Sequence, residues 1–190
     1  MKNSLFFLIV FSLFAFFSCK HTAPKECRVK LDSLRKELDV FYKDFKAHSF
    51  DEYKEIRAQV KKTNSVFKEH VFNIKDNTLK TKFSQYADIE KEYKRIFKRY
   101  DNIAKEFEIS LLQLDHLKRD METGALYEKE KIDIYIQQER LAIQYLAQKV
   151  KELYEDAERQ KHNFLITKDE VERFYESISL NRPPEHVNFI

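Results

Sequence analysis

The stretch that decides the fold is residues 79–121, LKTKFSQYADIEKEYKRIFKRYDNIAKEFEISLLQLDHLKRDM. Apolar or aromatic residues recur through it in alternating steps of three and four, which is the spacing of a heptad repeat. Only Glu90 and Lys118 interrupt this seam. The pattern predicts one amphipathic helix about 65 Å long at ~1.5 Å per residue. The seam residues are Leu79, Phe83, Tyr86, Tyr93, Phe97, Tyr100, Ala104, Phe107, Leu111, Leu114 and Met121.

The composition of the whole chain favours helices joined by short connections. The 190 residues include one Gly and three Pro, far below average usage. Sheets, hairpins and phosphate-binding loops need turn residues that this chain lacks. The 35 basic and 32 acidic side chains are intermixed, and the net charge of +3 indicates no particular partner and no nucleic-acid surface.

Three further helices show the same spacing. We expect helix one over residues 26–47, then a capping box formed by Ser49 and Glu52 that starts helix two. A connection this short predicts an antiparallel hairpin. The single glycine, Gly124, is expected to adopt the left-handed conformation that closes helix three. Helix four then covers residues 126–164, and a second capping box at Thr167 and Glu170 predicts a short fifth helix.

Helix three also carries a second apolar column beside its main seam. The column repeats every seven residues and widens the apolar face beyond that of a two-stranded coiled coil. We therefore expect a bundle. The column consists of Ile89, Ile96, Ile103 and Leu117, with Ser110 in the gap.

The first nineteen residues have the pattern of an export signal. Lys2 is followed by an apolar run over residues 5–17, which suits a signal peptide and is shorter than the ~20 residues of a transmembrane helix. The segment 16–19, Phe-Phe-Ser-Cys, resembles the relaxed lipobox of bacterial lipoproteins, with Phe16 where the usual motif has Leu. A plain secretory signal and an uncleaved hydrophobic anchor are the alternatives.

The resemblance to bacterial lipoproteins implies acylation of Cys19, by a thioether and an amino-terminal acyl chain such as palmitate, and anchoring in the cell envelope. In such proteins Lys20, rather than Asp, after the cysteine favours the outer membrane. The domain organisation is then a signal peptide at 1–18, a lipidated cysteine and tether at 19–26, a helical bundle at 27–180 and an extended tail at 181–190. Cys27 is the other thiol, either a tolerated one or the donor of an intermolecular disulfide.

The apolar residues around Gly124 suggest a protein interface. Helices one and two are expected beside the half of the long hairpin farther from Gly124, because they are shorter and connect there. Helices three and four are then apolar on several sides near Gly124 without an evident cover. A protein partner or a second copy is one interpretation; a shift of helices one and two, or a folded-over tail, is the other. The candidate interface residues are Leu112, Leu117, Ile134 and Leu141.

A basic cluster on helix three suggests a second site. Aromatic residues alternate with it, but they fall on the seam and belong to the core. The cluster is either a solvated face with salt bridges or a contact for cell-wall polymer or anionic lipid. Its candidate residues are Lys94, Arg95, Lys98 and Arg99.

Residues that would support catalysis are missing from the sequence. One glycine excludes a nucleophile elbow, a P-loop and a dinucleotide fingerprint. None of the six His has the spacing of a di-iron bundle or a zinc protease, and Glu158 with His162 is a common surface pair. We expect no enzyme, no metal and no cofactor.

The sequence as a whole predicts an all-α protein. Its expected form is an elongated antiparallel helical bundle or coiled coil, with two long helices, a shorter hairpin and a short fifth helix. In outline it is similar to small helical bacterial lipoproteins, including those described as cell-wall-binding. The expected function is a membrane-anchored, non-catalytic scaffold or adaptor; a module that binds cell-wall polymer, anionic lipid or a host molecule is the alternative.

Overall fold

The computed structural model describes residues 22–70 and 77–179, and every regular element in them is helical. Helix α1 is Lys25–Ala47, α2 is Asp51–His70, α3 is Asn77–Thr123 and α4 is Lys129–Ser179. The all-α prediction is confirmed. The signal sequence at 1–18, Cys19 and the tail at 181–190 lie outside the described residues. Helix α1 begins at Lys25, before the expected start of the bundle at residue 27, and Ala23, which precedes the helix, is also buried.

The helices form two compact units, each built from segments of several helices. Unit 1 contains residues 22–39 and 109–143 of the described chain. Unit 2 contains residues 40–70, 77–108 and 144–179. In both units the buried side chains of α3 come from the seam and its second column.

The core of unit 1 is aliphatic. Three segments contribute to it, one each from α1, α3 and α4, and their buried residues keep the three-four spacing. Four ion pairs between helices lie at its edge: Glu26–Lys129, Lys30–Asp133, Asp32–Lys118 and Arg35–Asp115. Exposed ion pairs such as these add little stability. They do identify which residues of α1 lie beside which residues of α3 and α4. The principal buried residues are Leu31, Leu34, Leu38, Leu114, Leu117, Met121, Ile132, Ile136 and Ile143.

The core of unit 2 is rich in aromatic rings. Phe45 lies 4.6 Å from Tyr100 and 5.2 Å from Phe107, measured between ring centroids. The buried Tyr93 hydroxyl donates a hydrogen bond of 3.2 Å to the carbonyl oxygen of Ala157. Stacked and tilted ring pairs of this kind add to the free energy of hydrophobic burial. Tyr and Phe side chains therefore supply much of the volume of this core.

Gly124 closes α3 as predicted. Its φ of 79° is in the left-handed region, which glycine occupies without steric cost. The N–H of Leu126 donates a 3.0 Å hydrogen bond back to the carbonyl of Asp120, which satisfies one of the free carbonyl groups in the last turn of α3. Helix α4 begins at Lys129, three residues later than expected.

The capping box at the start of α2 forms only in part. Ser49 Oγ accepts a 3.2 Å hydrogen bond from the N–H of Asp51, which fits its role as the cap. The Glu52 carboxylate does not turn back to the cap, because Lys161 of α4 donates to it at 2.8 Å. A tertiary ion pair thus replaces half of the local motif.

The prediction that α1 and α2 form an antiparallel hairpin is wrong. Phe45 of α1 contacts Tyr100 of α3, while Tyr53 of α2 contacts Tyr93 and Arg57 lies 3.7 Å from Glu90. The contacts therefore move steadily towards the start of α3, and α2 continues in the direction of α1. The long apolar seam of α3 gives each of the two helices a surface to pack on, so a short connection does not require a reversal.

The prediction of a fifth helix is wrong, because α4 continues without a break through Thr167. The Thr167 hydroxyl donates a 2.7 Å hydrogen bond to the carbonyl of Asn163, one turn earlier, instead of capping a new helix. Its side chain is buried between Phe164 and Val171 in the same seam. Thr in the middle of a helix commonly makes such a bond, and here tertiary burial outweighs the capping signal.

Substitution of Phe107 by Ala should lower the free energy of unfolding by about 3–5 kcal/mol. Its ring is fully buried and contacts Phe41, Tyr42 and Phe45, so truncation leaves a cavity. Urea unfolding followed by circular dichroism measures the loss. The matched control is Ile109→Ala, two residues along and 54% exposed, which should cost less than 1 kcal/mol. Equal losses for the two variants would contradict this core.

Candidate interaction surfaces

Three of the four candidate interface residues lie on the surface of unit 1. Leu112 is 57% exposed, Ile134 is 56% and Leu141 is 55%. On α4, Ile134 and Leu141 are seven residues apart and share a face. Leu112 shares a face of α3 with Ile109, which sequence analysis did not select. We call Ile109, Leu112, Ile134 and Leu141 the exposed apolar set.

The fourth candidate, Leu117, is a correction: only 9% of it is exposed, and it belongs to the core. The physical reason is the position of α1. Asp32 pairs with Lys118 at 2.7 Å, and Arg35 with Asp115 at 2.5 Å, so α1 lies along α3 on both sides of Leu117. The hydrogen bond from Arg35 lowers the pKa of Asp115.

The expectation that helix one lies beside the half of the hairpin farther from Gly124 is therefore wrong as well, and the alternative of a cover from within the chain holds for α1. Helix α1 packs on this part of α3 and α4, as the Glu26–Lys129 and Lys30–Asp133 pairs show. It buries one side of each helix and leaves the exposed apolar set on the other. Single surface hydrophobic residues are common. Four large ones on two helices of one small unit are unusual, because other residues already form the core of that unit.

Of the four basic residues proposed to contact cell-wall polymer or anionic lipid, two form ion pairs within the protein and two do not. Arg95 pairs with Glu92 on its own helix, and Arg99 pairs with Asp156 of α4. Lys94 and Lys98, one turn apart, are exposed, and the described residues offer them no salt bridge within 4.0 Å. The structure thus leaves two of the four charges available to an external anion.

Arg99 also lines a groove of about 650 Å³ between α3 and α4 within unit 2. Its charges are matched: Lys149 contacts Glu106 at 2.7 Å, and Arg159 contacts Asp156 at 2.5 Å. A groove with paired charges attracts anions weakly, because each positive side chain already has a nearby carboxylate.

A second groove in unit 2, of about 840 Å³, was missed by sequence analysis. Residues from α1, the α1–α2 connection, α2 and α3 meet there, so no single stretch of sequence reveals it. Phe97 and Tyr100 supply aromatic surface, and Asp51 and Asp101 supply negative charge. Its basic residues are Lys46, Lys54, Arg57 and Lys61.

Two of these basic residues have acidic partners. Lys54 pairs with Asp51 at 2.8 Å, and Arg57 lies 3.7 Å from Glu90 and over the Phe97 ring. The remaining basic residues give the groove a modest positive excess.

Cys27 is free, fully buried and on α1. Burial raises the pKa of its thiol, which keeps it protonated and unreactive. This burial argues against the intermolecular disulfide that the sequence left open. Within residues 22–70 and 77–179 no three His, Cys, Asp or Glu side chains come together as a metal site.

Comparisons with protein-family models, with curated proteins and with solved structures found no match to this chain. In the part of the chain that the structure describes, no helix is both long and apolar enough to cross a bilayer. Cys19, the candidate lipidation site, precedes the described residues.

Glu139 is the one carboxylate of unit 1 with a buried, unpartnered oxygen among the described residues. It lies between Ile136 and Ile143 on the seam of α4, and burial raises its pKa above the ordinary value of 4.5. The folded protein therefore holds this proton more tightly than the unfolded chain does. The contribution of Glu139 to stability falls as pH rises from 4.5 through its folded pKa.

Glu139→Gln should remove this pH dependence. Going from pH 7 to pH 5, wild type should gain more free energy of unfolding than the variant, and at pH 7 the variant should be at least as stable. Urea titrations at both pH values measure the difference. The control is Glu130→Gln, an exposed carboxylate on the same helix, which should follow wild type. If Glu139→Gln also follows wild type, the carboxylate is solvated in the native protein.

Proposed function

We propose that the protein is a membrane-anchored envelope lipoprotein that acts as a non-catalytic scaffold or adaptor through contacts on its helix faces. The observation that carries this proposal is the exposed apolar set. The seams of α3 and α4 are already filled by the core of unit 1, so these four side chains have no structural task within the described chain. Their exposure costs solubility, which a binding role would explain.

The anchor is proposed from the sequence. Lys2, the apolar run at 5–17 and Cys19 support export and acylation, and Lys20 supports the outer membrane. Two or more acyl chains hold a protein stably on a bilayer, whereas one chain does so only marginally. Cys19→Ser should therefore release the protein from the membrane fraction.

An antiparallel arrangement of the bundle is part of this proposal. The contacts within each unit support it: Asp32 and Arg35 of α1 meet Lys118 and Asp115 of α3 in reverse order. In unit 2, Phe45 of α1 and Arg57 of α2 likewise meet Tyr100 and Glu90 of α3 in reverse order. Helices held side by side present long faces, which suits an adaptor that binds another helix or a flat protein surface.

Site-specific photocrosslinking in intact cells tests the scaffold function. A probe at Leu112, and separately at Leu141, should yield a discrete adduct with a second protein or a second copy, identified by mass spectrometry. A probe at Lys36, an exposed polar position on α1, is the control and should yield none. Only intramolecular products at both leucines would contradict the proposal.

The double variant Leu112→Glu with Leu141→Glu should abolish that adduct and retain helicity, because both positions are exposed. Circular dichroism and the crosslinking yield measure the two effects, with the probe moved to Ile134 in wild type and variant because positions 112 and 141 are substituted. Gln113→Glu with Gln137→Glu adds the same charge at exposed polar positions and should leave the adduct intact. Loss of folding in the leucine variant would instead assign these residues to the core.

The second candidate function is binding of cell-wall polymer, anionic lipid or a host molecule. The exposed Lys94 and Lys98 and the positive groove of unit 2 favour it. In protein released by Cys19→Ser, changing Lys94, Arg95, Lys98 and Arg99 to Gln should weaken binding to wall polymer or anionic vesicles at least tenfold. Binding by wild type should fall steeply with salt. Binding that ignores both salt and substitution would contradict this function.

A further inference from the structure

The start of α1 is fixed to unit 1 very close to the proposed lipidation site. Ala23 is 1% exposed, and the carbonyl of Pro24 accepts hydrogen bonds from the N–H groups of Cys27 and Arg28 at 3.1 and 3.3 Å. From Cys19 to Ala23 the chain advances four residues, which span at most about 14 Å when extended. An acyl chain on Cys19 therefore leaves this end of unit 1 little freedom to move away from the bilayer.

The segment beside this end is the α3–α4 turn, residues 124–128. Glu26 pairs with Lys129 at 2.7 Å, and Lys30 pairs with Asp133 at 2.8 Å, so the first turn of α1 and the first turn of α4 are neighbours. The turn itself is held by the Leu126-to-Asp120 hydrogen bond and by the left-handed Gly124. It is thus a defined surface at the same end as the tether.

We propose that residues 124–128 form the membrane-facing surface of the protein, with Tyr127 at the level of the lipid headgroups. The inference rests on the proposed acylation of Cys19. Tyr127 is 42% exposed in the turn, and a tyrosine ring with its polar hydroxyl suits the boundary between headgroups and acyl chains. The interacting partner is a lipid surface.

The charges around this surface predict which lipid it accepts. Exposed Lys25, Arg28 and Lys129 lie at this end of unit 1 together with Glu26, Glu128 and Glu130. Since neither sign dominates, anionic lipid gains no strong attraction. Contact with a zwitterionic bilayer should be sufficient, driven by the anchor and by Tyr127.

The chain has no tryptophan, which allows a single-residue reporter. Tyr127→Trp is compared with Ile109→Trp, an exposed position on α3 about 20 Å along the helix from the turn. The lipidated protein is reconstituted in phosphatidylcholine vesicles whose acyl chains carry bromine, a short-range quencher. Relative to vesicles without bromine, emission of the tryptophan at 127 should fall at least twofold, while emission of the tryptophan at 109 should not change. In vesicles without bromine, the emission maximum at 127 should lie to the blue of its value in the Cys19→Ser form, and the maximum at 109 should equal its value in that form.

Equal quenching at the two positions, or quenching at 109 alone, overturns the inference. Ala125→Trp is a second reporter in the same turn and should behave as position 127 does. The Cys19→Ser form tests the anchor separately: it should not sediment with the vesicles. Sedimentation equal to that of the lipidated form would refute the proposed anchor, whereas an anchored protein with an unquenched reporter at 127 would refute only the orientation.

Discussion

The hydrophobic seam of α3 is the constraint on which the rest of the structure depends. Its three-four spacing keeps one face of a 47-residue helix apolar, and burying that face requires neighbouring helices along its whole length. In unit 2 the neighbours supply aromatic rings around Phe107, and in unit 1 they supply aliphatic side chains around Leu114. The two charged residues that interrupt the seam each form an ion pair with another helix, Glu90 with Arg57 and Lys118 with Asp32.

Periodicity and local chemistry were sufficient to predict the buried face of α3, the start of α2 and the end of α3. The seam residues of α3 from Phe83 to Met121 are buried or half-buried, Ser49 caps α2, and Gly124 takes the left-handed conformation. These outcomes depend on interactions within a few residues, which a sequence displays directly. The capping signal at Thr167 failed because its side chain fits the seam of α4, and burial among distant residues decided its conformation.

The candidate sites were harder to predict, because they depend on which helices become neighbours. The sequence shows that Leu117 lies on the apolar side of α3. Whether its side chain is buried depends on where α1 packs, which the sequence does not show. Leu112, Ile134 and Leu141 remained exposed because they lie outside the seams. The positive groove of unit 2 joins residues such as Lys46 and Arg57 from different helices, and no spacing rule connects them. A scaffold function follows from surfaces of this kind, which contain no catalytic constellation to recognise.

Helix α1 packs against the Gly124 ends of α3 and α4 and covers one side of the apolar residues there. The reactivity of Cys27 tests this packing most directly, because with Cys19 acylated or replaced by Ser it is the only free thiol. Full burial of Cys27 predicts that an aromatic disulfide reagent modifies it negligibly in native buffer and completely in urea. Modification in native buffer at the rate of the unfolded chain would contradict the packing of α1 and, with it, the account of both surfaces of unit 1.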